Sequence, residues 1–367
     1  MVLTGADAAE RALPRLVLWC VPVADLGGVA RHVLDALRHG ITGWRIVVLC
    51  PEGALAEQLR AQGAPVLTGP VSPTDGAAAA TRAIRRTLKR LRPDVLHTHL
   101  AFADLAGIAA VTGLRSGAGR RIRVVSTEHG ISGVRGYYQA DALRAQVKAV
   151  AHRTRLLRTD RVIAVSASTA QQVAAQWGSG RKVTVIRNGV DDVDPAQRPT
   201  TGLRVLSLSR LAPEKRIDQL VRAFALVAAE HPAASLTIAG TGPEGHSLRR
   251  LVASLDLTGR VDFPGHIDAG SALRGHDVVV QLSVWENLSY TLLDAVAHRV
   301  GVVATDVGGN REIVPQQCLV PAEDLPAVAR AITAQGTEVA ARPPASGRMD
   351  VAGMCSAIAN VYGEVTA

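Results

Sequence analysis

The chain has 367 residues, enough for two domains of ordinary size. Hydrophobic residues at 47% and charged residues at 20% exclude a disordered chain, and aromatics at 3% argue against a stacking platform for single-stranded nucleic acid. The net charge of +9 is uneven: residues 1–190 hold 26 Lys+Arg against 12 Asp+Glu, and residues 191–367 hold 15 against 20. That asymmetry points the first half toward an anionic partner or surface, with an arginine-rich coding bias as the plain alternative.

No run approaches the roughly 18 apolar residues needed to span a bilayer. The first apolar run, from Leu16 to Val23, is short for a signal sequence and contains Pro22. Asp25-Leu26-Gly27-Gly28 follows it, which is not a small-residue cleavage site. Cys20, Cys50, Cys318 and Cys355 lie far apart with no C-x-x-C pair. Neither a disulfide framework nor a zinc site is expected, and the reading is cytoplasmic.

Short Val/Ile/Leu runs recur along the chain, each followed by a longer amphipathic segment. In the first half, strands are expected at 16–21, 45–50, 66–68, 94–97, 122–127, 161–165 and 183–186, with helices between them at 28–38, 53–62, 76–91 and 167–177. In the second half strands are expected at 203–208, 235–239, 261–263, 277–282 and 300–304. Apolar strands alternating with helices indicate parallel sheets covered on both faces. Turn residues cluster once, over Asn188–Gly202, and are read as a linker. The result is two Rossmann-like doubly wound domains facing across a cleft, with ligands beyond the carboxyl ends of the strands.

The strongest chemical signal is SVWENLSYTLLDAV, which sets Glu286 just past a strand end and Asp294 eight residues on. If the whole interval were helical it would rise about 12 Å, so the two carboxylates could reach hydroxyls on separate parts of one elongated ligand. In SLSRLAPEKRIDQL, Arg210 follows a strand and Lys215 opens the next helix. Two cations at a helix N-terminus suit a diphosphate, while Arg216 is read as solvated. Gly240-Thr241-Gly242-Pro243 and Gly308-Gly309 also join strand ends to helices, as a phosphate loop or a simple turn.

Taken in order, S-R-L-x-x-x-K, A-G-x-G-P, a Glu with an acid eight residues on, and T-D-V-G-G-N-R-E resemble the nucleotide-sugar-dependent retaining glycosyltransferases of family 4, of GT-B fold. DLGGVARHVLDAL, PDVLHTHL, STEHG, VIAVSASTAQQV and VIRNGVD are similar to that family's first domain, and the resemblance covers roughly residues 15–320. It implies an acceptor-binding domain over 1–190, a linker over 191–202, a nucleotide-sugar domain over 203–348, and a C-terminal helix over 349–367 packing back on the first domain. Arg210 and Lys215 would neutralise the donor diphosphate and stabilise the departing nucleotide. Glu286 would contact donor-sugar hydroxyls, with Asn287, Leu288 and Ser289 walling the sugar, and Asp294 would hold the ribose. His129 would contact the donor sugar near the attacking oxygen, and His266 and Ile267 would meet the base. Gly240 and Gly242 belong to the donor loop. Gly27, Gly28, Gly308 and Gly309 would let backbone approach phosphate, acceptor and sugar.

The sequence departs from the family pattern at Asp294, where Glu is usual, at Asn287-Leu288-Ser289, where glycines are common, and at Gly301, where proline is usual. These mark either a divergent pocket or a weakened enzyme. No Ser-His-Asp or Cys-His constellation is apparent. His97 and His99 are read as alternating at a strand end with one facing the cleft. No D-x-D cluster suits a metal, since Asp192 and Asp194 fall in the linker as solvated charges, so no metal or other cofactor is expected. The expected partners are a nucleotide-sugar donor and a hydroxyl acceptor, the latter a glycan or lipid-linked glycan of cell-envelope or polysaccharide biosynthesis. An anionic membrane face is a further partner for the basic stretches around Arg82–Lys89 and Arg144–Arg161, for which a solvated helix face is the alternative. No nucleic-acid motif accompanies the charge. A non-catalytic nucleotide-sugar binder, or a transferase acting on a small-molecule acceptor, remains as the other reading.

Overall fold

The structure, a computed structural model, describes residues 15–130, 142–178, 180–193 and 199–367, and for 142–149 the backbone alone. The first run of elements is β1 (Arg15–Cys20), α1 (Gly28–His39), β2 (Trp44–Cys50), α2 (Ala54–Ala61), β3 (Val66–Thr68), α3 (Ala77–Leu91), β4 (Val95–His99) and α4 (Leu100–Val111). It continues through β5 (Arg123–Glu128), α5 (Ala142–Arg158), β6 (Arg161–Ala164), α6 (Ala167–Trp177) and β7 (Val183–Val185). These strands form one sheet in the order β3-β2-β1-β4-β5-β6-β7. The second run is β8 (Arg204–Leu208), α7 (Ile217–Glu230), β9 (Ser235–Ala239), α8 (Gly245–Ser254), β10 (Val261–Gly265) and α9 (Ala269–Gly275). It ends with β11 (Val278–Gln281), α10 (Tyr290–Ala297), β12 (Gly301–Ala304), α11 (Leu325–Thr337) and α12 (Val351–Thr366). Its sheet has the order β10-β9-β8-β11-β12.

All strand pairs with a defined register are parallel, for example Val17 opposite both Ile46 and Val95, and Val278 opposite Val205. Both sheets are covered on both faces, as the continuous apolar runs require. In β8, Val205 joins the cluster built by Leu220 and Phe224 of α7 and Ile332 of α11, whereas its neighbour Leu206 joins Leu292 of α10 and Val302. Each such buried aliphatic side chain contributes roughly 1.5–3 kcal/mol.

By contacts the chain divides into one unit running to Glu128 with Val147–Ile163 and Cys355–Ala367, and another comprising His129–Gln146 and Ala164–Met354. In the first unit, the C-terminal helix packs on β1. Trp19 Nε1 donates to Tyr362 Oη at 2.8 Å, and Arg15 Nη1 donates to Thr366 Oγ1 at 2.6 Å. Tyr362 also shares a hydrogen bond with His97, whose other nitrogen bonds Thr127. Here the strand-end reading of the histidines needs correction. Residues two apart on a strand share a face, and the His97 and His99 rings stack with centroids 4.5 Å apart, both buried.

In the second unit, the linker is pinned at both ends. Val190 N donates to Met349 O at 2.9 Å, Asp191 accepts from Val351 N at 3.1 Å, and Thr200 donates to Asp277 at 2.7 Å. Asp192 is solvent-exposed, as expected, and also pairs with Arg348, and Asp194 lies outside the described residues. Gly301 is a packing feature, not a pocket wall. A Cβ there would stand 2.5 Å from Gln335 O of α11, and its N–H donates to Asp277 O at 2.9 Å. Proline would lose that bond and clash with the helix. The four cysteines are buried and none is in a disulfide, and burial raises the Cys20 thiol to about 12.

Candidate active site

In the sheet β10-β9-β8-β11-β12 the chain reverses direction between β8 and β11, so the loops leaving these two strands form the topological switch point where such sheets bind ligands. The loop after β8 carries Arg210 and Lys215. The loop after β11 carries Glu286. Val284 N donates to Glu214 O at 2.8 Å, which locks the two loops together.

Lys215 forms an ion pair with Glu286 Oε1. The same oxygen accepts from Gln281 Nε2 at 2.6 Å and from Ser283 Oγ at 2.8 Å. Gln281 is oriented in turn by Ser289 Oγ, which donates to Gln281 Oε1 at 2.8 Å, while Ser289 also accepts from Leu292 N as the cap of α10. One carboxylate oxygen is thus saturated by three donors. Oε2 has no hydrogen bond among the described residues, and the side chain is 13% exposed. A carboxylate so fixed keeps one oxygen available as an acceptor, and hydroxyl groups are suited to donate to it.

Arg210 donates to Glu214 Oε1 at 2.7 Å, with Arg210 well exposed and Glu214 buried. Lys215 closes a short 3-10 turn, Pro213–Lys215, and Arg216 then takes a left-handed conformation at φ 49° that starts α7. Arg216 pairs with Glu323 at 2.6 Å, so it is not the solvated cation expected from the sequence. Two tethered cations at the start of a fourteen-residue helix can meet an anion with little reorganisation.

The glycines have a different primary duty from the one the sequence suggests. A Cβ on Gly240 would lie 1.9 Å from Ser209 O, and one on Gly242 2.3 Å from Leu211 O. A Cβ on Gly308 would lie 1.7 Å from Glu286 O, and one on Gly309 2.3 Å from Asn287 O. Leu211 N donates to Thr241 O and Gly309 N donates to Asn287 O, at 2.9 and 2.8 Å. These glycines let the loops after β9 and β12 press backbone to backbone against the loops that carry Arg210, Lys215 and Glu286.

Asp294 is buried on α10. That helix begins at Tyr290, so Glu286 lies in a loop and the helical rise assumed from the sequence does not separate the two acids. Leu288 is buried, and its carbonyl accepts from Asn188 Nδ2 at 3.2 Å. His266 is exposed after β10, and Ile267 packs against the α10 cluster. His129 follows β5, and the Asn287 side chain occupies the space where a Cβ on the next residue, Gly130, would stand. Glu312, from the T-D-V-G-G-N-R-E motif, accepts from Ala167 N and Ser168 N at 3.0 Å each and so caps α6.

In the first unit, Gly27 caps α1, and a Cβ there would meet nothing within 4 Å. Gly27 and Gly28 line a cavity of about 880 Å³ together with Asp25, Glu52, Ser72 and Asp75. Gln281 and Ser283 escaped the sequence reading. Gln281 ends the otherwise apolar strand VVVQ, but neither residue has a meaning in the sequence until the carboxylate they bond is located.

Two parallel doubly wound sheets, the second with charged loops interlocked at its switch point, are the architecture of the GT-B fold class. A model described as Glycosyltransferase Family 4 matches residues 26–193, and one described as Glycosyl transferases group 1 matches residues 202–335. Between them the two models cover most of the chain and support a glycosyltransferase of the family-4 type. It is 28% identical over 337 residues to a glycogen synthase of Mycobacterium tuberculosis, covering 82% of this chain and 79% of that protein. It is 28% identical over 233 residues to N-acetyl-alpha-D-glucosaminyl L-malate synthase of Bacillus anthracis, covering 60% and 58%. The crystal structure of HepE from Anabaena in complex with UDP and glucose superposes with a TM-score of 0.78 at 21% identity, over 95% of this chain and 99% of that one. Sucrose-phosphate synthase from Thermosynechococcus elongatus gives 0.74 at 18% identity, over 96% and 99%.

Proposed function

We propose that the protein moves a sugar from a nucleoside-diphosphate sugar to a hydroxyl acceptor with retention of configuration. The observation that carries this reading is Glu286 at the switch point, with Oε1 held by three donors and Oε2 without a hydrogen bond among the described residues, where a sugar hydroxyl would donate. In the reaction the bond from the sugar carbon to the diphosphate oxygen breaks. A bond to the acceptor oxygen forms on the same face, and the departing phosphate oxygen takes the acceptor's proton. Lys215 and Arg210 stabilise the negative charge that grows on the diphosphate, so no metal is assigned to that task. Asp294 holds the ribose, His266 and Ile267 meet the base, and His129 and Asn287 contact the donor sugar. The cavity beside Gly27 and Gly28 receives the acceptor. The acceptor is read as a glycan or lipid-linked glycan of cell-envelope or polysaccharide biosynthesis, which brings the basic first unit to an anionic membrane face in the cytoplasm. Support comes from the names of the relatives, several of them sugar transferases, and from HepE, whose crystals hold UDP or UDP-glucose.

The test is a thermal-shift panel of UDP, GDP, ADP and dTDP, with magnesium or EDTA. A nucleotide at about 100 times its Kd stabilises by roughly 2.7 kcal/mol. One nucleotide, UDP first among the candidates, is expected to shift the melt equally with EDTA, and Lys215→Ala or Arg210→Ala to abolish most of the shift. A shift that needs magnesium contradicts metal independence. The absence of any shift contradicts the donor site.

A further inference from the structure

We propose that the outer faces of α4 and α5, with the cavity at their C-terminal ends, dock on an anionic phospholipid membrane. This deepens the membrane part of the reading above, on which it rests, and uses none of the transfer chemistry. The sequence LAFADLAGIAAV of α4 has a single charged residue, Asp104, which is buried and paired with Arg155. Nothing charged is left for the exposed side, where Leu105 is 38% exposed. Surface helices of water-soluble domains ordinarily carry charge on that side.

Helix α5 adds Val150 and Leu157, 61% and 79% exposed and two helical turns apart, hence on one face. Arg153 and Arg158 are exposed beside them, and no acid falls between Val150 and Arg158. Where α4 ends and β5 begins lies a cavity of about 280 Å³. Ile108, Leu114 and Ile122 are among its apolar lining, and among the described residues its charged lining is Arg115, Arg121 and Arg158. Arg121 also pairs with Asp160. On the other flank of α4, Arg82, Arg86 and Lys89 of α3 are exposed, whereas Arg85 is taken up by bonds to Ala110 O and Thr112 O at 2.8 and 2.9 Å that clamp α3 to α4.

An uncharged apolar strip between two cationic borders, with an arginine-rimmed apolar cavity, is complementary to one chemistry: anionic headgroups above acyl chains. Inorganic phosphate would leave the apolar lining unused, and an acidic protein surface would leave Leu157 and Leu105 against charge. The cavity includes Ile122 and lies at the amino end of β5, opposite the carboxyl ends where this unit's sheet presents its ligand loops. Docking there leaves those loops free.

The experiment is flotation of the full chain with vesicles of phosphatidylcholine alone or mixed with phosphatidylglycerol, at low and high salt. Binding is expected only to the mixed vesicles, with a remnant at high salt from apolar insertion. Leu157→Glu with Arg158→Glu is expected to lower vesicle affinity about tenfold or more, while the nucleotide-induced melting shift stays as in wild type. Lack of wild-type binding to the mixed vesicles, or unchanged binding by the double variant, overturns the proposal. Loss of the nucleotide shift in wild type, with flotation intact, counts against the donor site and leaves the docking face standing.

Discussion

In the proposed reaction Glu286 acts through the contrast between its two oxygens. Lys215, Gln281 and Ser283 commit Oε1, and the side chain can then present Oε2 without rotating. Removing the carboxylate should leave nucleotide binding largely intact and depress turnover about 100-fold or more, the usual scale for a preorganised group at a reacting centre. Steady-state kinetics of Glu286→Ala beside Lys215→Ala separate the roles, because only the lysine variant should also lose nucleotide affinity. A second acid, Asp277, is structural. Burial pushes its carboxyl up, but bonds from Arg204, Thr200 and the Arg204 backbone outweigh this and hold it below its ordinary value. Its stabilisation is therefore present above the ordinary carboxylate range and disappears as the pH falls through the folded value. Asp277→Asn should cost about 2 kcal/mol near neutral pH, and urea melts should show the gap to wild type closing in acid. The loop positions of Glu286, Lys215 and Arg210 were legible because motif order marks strand ends. Gln281 and Ser283 were not, since a glutamine and a serine carry no meaning until the carboxylate they bond is located.

At the scale of elements, the loops of the second unit are set by glycines that touch other loops. Gly308 has φ 56°, and its missing Cβ leaves room for Glu286 O, so Gly308→Ala should cost about 1–3 kcal/mol and disturb Glu286. Gly27 differs in kind, because an added methyl there meets no protein atom. Gly27→Ala should leave the melting temperature unchanged while weakening a ligand in the cavity it lines, which paired melting and kinetic measurements would reveal. The strands were legible to within a few residues because each is a buried Val/Ile/Leu run bounded by turn residues. Helix α4 was not singled out: an apolar surround has no 3.6-residue periodicity to read. The start of α10 was placed near Leu288, whereas Ser289 caps it and Tyr290 opens it. A serine hydroxyl bonded to Leu292 N decides that boundary, and hydropathy does not report it.

For the whole molecule, alternating apolar strands and helices led to two doubly wound sheets, and the strand orders place a switch point between β8 and β11 and another between β1 and β4. The charge asymmetry of the two halves acquires a physical location in the first unit, on α3, α5 and the arginine-rimmed cavity. No helix among the described residues is long and apolar enough to cross a membrane. The central claim is sugar transfer that depends on Glu286. The most direct measurement is nucleoside-diphosphate release from UDP-, GDP-, ADP- and dTDP-sugars with a panel of hydroxyl acceptors, comparing wild type with Glu286→Ala. Release is expected from one donor type, matched by glycosylated product and almost lost in the variant. Equal turnover by the variant, or nucleotide binding without release from any donor, would contradict that claim.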